Sequence, residues 1–63
     1  MTSVNHLSEA TRNDITQRLK RIEGQARGIQ RMMEEERDCQ EVLNQIAAMR
    51  AATHALGMQL LEE

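Results

Sequence analysis

Apolar residues recur along the chain in two stretches, each with helical spacing. Ile15, Leu19, Ile22, Ala26, Ile29 and Met33 follow one another at steps of four, three, four, three and four, and Val42, Ile46, Met49, Thr53, Leu56 and Leu60 repeat the same steps. A seam of this kind turns one side of a helix toward a partner helix. The pattern predicts an all-α fold with a first helix over 8–36 and a second over 38–63. Residues 1–7 form a polar lead-in without periodicity, expected to be mobile. Ser8 is suited to cap the first helix, and Glu9 suits the positive end of its dipole. Between the seams, Glu34, Glu35 and Glu36 place acid at a helix C-terminus, where the dipole disfavours it. Asp38 and Glu41 then have the spacing of a capping box for the second helix. Two long helices joined by about three residues fold back on each other as an antiparallel hairpin.

The second helix is apolar beyond its seam. Leu43, Ala47, Ala48, Ala51, Ala52, Ala55, Met58 and Leu61 lie off the stripe, and a helix apolar over most of its circumference is buried on several sides. One hairpin supplies only one neighbour. The expectation is a two-fold dimer forming a four-helix bundle, with Ile46, Met49, Ala51, Ala52 and Leu56 at the interface and the small pair Ala51 and Ala52 at the crossing. Gly24 and Gly28 interrupt the first helix four residues apart, each costing about 1 kcal/mol relative to Ala. Their shared flank suggests close approach of another helix or of a phosphate backbone.

Composition narrows the class. The 63 residues contain no Pro, Phe, Trp or Tyr, three Gly and one Cys, so the chain is one small domain, 1–63, with strong helix formers and no strand or turn clusters. One cysteine excludes an internal disulfide, and without a leader pattern the chain reads as reduced and cytoplasmic. No apolar run approaches the roughly 18 residues of a membrane span.

The net charge of −2 conceals an asymmetry. From Arg12 to Arg31 the first helix carries Arg12, Arg18, Lys20, Arg21, Arg27 and Arg31 against only Asp14 and Glu23. Lys20, Arg27 and Arg31 share a stripe opposite the seam, and Arg18 and Arg21 flank the other side. At 1.5 Å per residue the stripe is about 16 Å long, enough for several successive duplex phosphates. A face kept only for solubility interleaves both signs. A helical assembly or adaptor module without nucleic acid remains the competing reading.

The single thiol, Cys39, stands where the second helix begins. A cysteine at a seam position also serves as a small buried hydrophobe. His54 lies about 22 Å further along the same helix, so the chain offers Cys39 no neighbouring ligand. No catalytic base is placed for a thiol enzyme. His6, in the lead-in, is the other candidate ligand by its imidazole alone.

The run RLKRIEGQARGIQRMMEEERDC from Arg18 to Cys39, followed by VLNQIAAMRAA from Val42 to Ala52, resembles the CsoR/RcnR/FrmR family of bacterial transcriptional repressors. Members sense copper, nickel or cobalt, formaldehyde, or sulfane sulfur. The resemblance implies an antiparallel four-helix-bundle dimer, two of which form a homotetramer, and operator DNA held by basic side chains rather than by a helix-turn-helix. By matching position Arg18, Lys20 and Arg21 would contact DNA, with Arg50 of the second helix; Arg27 and Arg31 extend that set from the charge pattern. Cys39 corresponds to the family's sensing cysteine. In the copper branch a His and a second Cys of the partner complete the site, at positions that would follow Glu63. A third short helix would follow too, so the chain is expected to lack the C-terminal part of a family member. The run AAMRAATHALGMQLLEE is closer to the copper branch, making Cu(I) the first expectation. Nickel or cobalt, recruiting His6, or a metal-free effector are the alternatives.

Overall fold

The computed structural model describes residues 3–62. The expectations that fall on Met1, Thr2 and Glu63, a mobile start and a second helix reaching 63, lie outside the described residues. A short 3-10 turn, Val4–His6, precedes two long helices, α1 (Glu9–Glu34) and α2 (Cys39–Glu62). No strand occurs among the described residues. The helices pack antiparallel as a rod of 44 × 17 × 15 Å.

Ser8 caps α1 as expected: its Oγ accepts from the Thr11 amide at 3.1 Å and donates to Thr11 Oγ1 at 2.9 Å. At the other end the backbone closes on itself. Glu35 is the last half-helical residue, the Glu36 amide donates to the Met33 carbonyl at 3.2 Å, and the Arg37 amide reaches the Met32 carbonyl at 3.0 Å. This paired arrangement places Glu36 in the left-handed region, φ 56°, a position that normally selects glycine. A residue with a Cβ carries a strain of roughly 1–2 kcal/mol there.

Asp38 starts α2 by accepting from the Gln40 amide at 3.0 Å. The reciprocal half of the expected capping box is not formed. Glu41 instead accepts from Arg37 at 2.7 Å, and Arg37 also lies 3.8 Å from Glu35. A guanidinium one turn away is a stronger partner for a carboxylate than a single amide hydrogen.

Three side chains are buried among the described residues, Leu7, Val42 and Leu56. Leu7 belongs to the lead-in expected to be mobile. The Ser3 hydroxyl caps the 3-10 turn through the Asn5 amide, the Leu7 amide returns to the Val4 carbonyl, and Leu7 is thereby turned inward. The two seams hold only in part: Leu19, in the middle of the first, is 50% exposed, and toward the C-terminal end of each helix the contact line slips by one position. Ile15, Ile22, Ala26 and Ile29 are half-buried, but Met32 replaces Met33, which is 64% exposed. On α2, Ala52 and Gln59 take the places expected for Thr53 and Leu60. The line of contact thus winds around each helix. Ala52 is small enough to admit α1, Gln59 is drawn in by a polar partner described below, and Thr53 turns outward to give its hydroxyl to the Met49 carbonyl at 2.9 Å. Helix α1 runs unbroken through Gly24 and Gly28, and a Cβ at either would meet nothing within 4 Å. The close approach expected there is not made by α2.

Candidate nucleic-acid interface and thiol site

The cations of α1 divide into tied and untied groups. Arg27 faces Glu23 at 3.2 Å with both side chains largely solvated, a pairing worth at most about 1 kcal/mol. Arg18 is held more specifically. Its Nε donates to Asp14 Oδ2 at 2.9 Å, and the same oxygen accepts from Gln59 Nε2 of α2 at 2.9 Å. These hydrogen bonds, Gln59 first and Arg18 second, hold the Asp14 carboxyl below its ordinary value of 3.8. Gln59 Oε1 is buried without a partner. Arg12, Lys20, Arg21, Arg31 and Arg50 have no carboxylate within ion-pair distance among the described residues.

Arg18 and Arg21 line one groove between the helices together with Ile22, Gln25 and Ala52. Arg50 lies two residues from Ala52, about 200° around α2, and so on the opposite flank from that groove. A single hairpin does not bring Arg50 together with Arg18 and Arg21.

The outward face of α2 is apolar. Leu43, Ala47, Ala51, Met58 and Leu61 stand exposed at helical spacing around His54, with Leu43 at 56% and Leu61 at 74%. Of the five residues expected at a dimer interface, Leu56 is already buried inside the hairpin, and Ile46, Met49 and Ala52 are half-covered there. Ala51 alone sits on the open face. Leu43, Ala47, Met58 and Leu61 join Ala51 on the exposed apolar stripe, whereas α1 takes up Leu56 and half-covers the other three.

Cys39 is exposed at the first turn of α2, so it is not a core hydrophobe. Among the described residues no three His, Cys, Asp or Glu side chains gather as a metal site. The exposed thiol is of the chemistry that fits Cu(I) as one soft ligand, and the described residues bring no further set of donors to it. His6 is held through Nδ1 by the Ser3 carbonyl at the far end of the rod. It is separated from Cys39 by the length of α1, roughly 39 Å for 26 residues at 1.5 Å each. Within one hairpin the two candidate ligands do not meet.

The comparisons with known proteins agree in one direction. A family model described as metal-sensitive transcriptional repressor matches residues 11–63. The copper-sensing transcriptional repressor CsoR of Bacillus subtilis is 49% identical over 61 residues, covering 97% of this chain and 60% of that protein. The copper-sensing transcriptional repressor RicR of Mycobacterium tuberculosis is 44% identical over 52 residues, covering 82% of this chain and 54% of that protein. Among solved structures, the copper-sensing repressor CsoR with Cu(I) from Geobacillus thermodenitrificans matches with a TM-score of 0.86 and 47% identity, over 98% of this chain and 62% of the other. The chain therefore spans little more than half the length of these proteins.

Proposed function

Because this chain belongs to the metal-sensitive transcriptional repressor family, we propose that it forms the DNA-binding and assembly part of a cytoplasmic repressor that releases its operator when Cu(I) binds at Cys39. The observation that carries the reading is the pairing of two unlike outward faces on one hairpin: α1 cations without an ion-pair partner among the described residues, and an open apolar stripe on α2. The apolar stripe packs against its copy, making an antiparallel four-helix bundle, with tetramers formed from two such dimers. The bundle presents Arg18, Lys20, Arg21, Arg27 and Arg31, with Arg50 contributed from the other flank, to successive phosphates. Affinity is then dominated by counterion release and falls steeply with salt.

Cys39 would hold Cu(I) through its soft thiolate, with further donors from another subunit, and the bound metal would favour one subunit arrangement. If that arrangement fits DNA poorly, operator binding weakens copper binding by the same factor, because the linkage is reciprocal. The copper-sensing relatives support this choice of effector. The repressor reading assigns the chain no catalytic activity. Cys39→Ala should keep operator affinity in a mobility-shift titration and lose release by Cu(I). A mutant released as readily as the wild type would overturn the sensor role of this thiol.

A further inference from the structure

One polar connection spans the two helices. Every other side-chain hydrogen bond among the described residues joins positions no more than four apart, whereas Gln59 and Asp14 are separated by 45 residues. Its geometry is directional. Asp14 Oδ2 receives the Gln59 amide and the Nε edge of Arg18, each at 2.9 Å. The terminal nitrogens of Arg18 make no hydrogen bond among the described residues, and its side chain is half exposed. A guanidinium donates in a fixed planar fork, so fixing the Nε edge fixes where the other donors lie.

We propose that Asp14, anchored across the hairpin by Gln59, is a positioning residue that holds Arg18 ready for a DNA phosphate, tying that contact to the last turns of α2. The inference rests on the reading of α1 as the DNA-binding face. Gln59 places its amide on Asp14 while its own Oε1 is buried without a partner among the described residues. Asp14 is also a negative charge beside a phosphate-binding cation. On charge alone it weakens DNA binding, so what it contributes is orientation.

That opposition of signs makes the proposal testable on the whole chain with a mixed-sequence DNA duplex. Gln59→Leu changes no charge. It should lower the affinity and reduce the salt slope by about 0.9, the loss of one phosphate contact, so that the affinity ratio between about 50 and 200 mM salt falls roughly three- to fourfold. The same substitution on an Arg18→Ala background should have no further effect. Asp14→Ala, a second route to the same loss, should also weaken binding although it removes a negative charge. Circular dichroism at the assay temperature selects the variants that are folded. A rise in affinity for Asp14→Ala, or an unchanged slope for whichever of the two variants is folded, overturns the positioning role. So does a full further loss on the Arg18→Ala background. If Arg18→Ala itself leaves affinity unchanged, it is the DNA-face reading that fails, a separate result.

Discussion

The outward faces of the two helices are opposites built on the same backbone. That of α1 carries long cations beside two tied acids, and that of α2 carries leucine, methionine and alanine. Each helix spends an equivalent stripe on the other, so the difference lies in what is left over. Charge left over is stable in water and awaits a polyanion. Apolar surface left over is not, and it calls for more protein. On the proposed reading, one short sequence would separate binding from assembly by helix, and each could be altered without rewriting the other.

The largest expected effect comes from making the α2 face resemble that of α1. Ala51→Glu puts a charge on the open apolar stripe, and burying it uncompensated would cost roughly 3–5 kcal/mol. Sedimentation should then find monomer, with helicity largely lost by circular dichroism. A folded monomer of wild-type helicity would break the comparison by showing that the stripe needs no cover. A smaller effect is expected at the joint between the faces. Glu36→Gly removes the left-handed strain and should stabilise the hairpin by about 1 kcal/mol, read as a raised urea midpoint with both faces unchanged. The smallest concerns the acid that tempers the α1 face. Asp14 titrates below 3.8 in the folded chain, so its stabilisation is complete above that value and is lost as pH falls through the lower folded value. The difference in melting temperature between wild type and Asp14→Asn should shrink over that acid range, and a difference that grows there would contradict the clasp.

Much of this was legible in the sequence. Two helices, their antiparallel pairing, the Ser8 and Asp38 caps and the cationic bias of α1 all follow from local pattern, because each depends on residues within a turn or two of one another. The misses share the opposite property. Met32, Ala52 and Gln59 replaced Met33, Thr53 and Leu60 because the contact line winds, and winding is a property of the pair of helices. The Asp14 and Gln59 clasp joins residues that no period connects. The spacing of Glu41 fits half of a capping box, but Arg37 holds its carboxylate instead. Leu7 did carry a signal: Ser3 can cap a turn that places Val4 and Leu7 three residues apart. The polar lead-in obscured it. For the thiol site the sequence supplied Cys39, while the donors that would complete it are not brought together within one hairpin.

The small number of buried side chains has a consequence for the protein's lifetime. A hairpin that fully buries only Leu7, Val42 and Leu56 among its described residues has little with which to offset chain entropy alone. If it folds with its copy as proposed, its folded population follows mass action, rising with the concentration of copies. Dilution should lower its melting temperature and expose it to proteases, so that scarcity of this protein would tend to deepen itself.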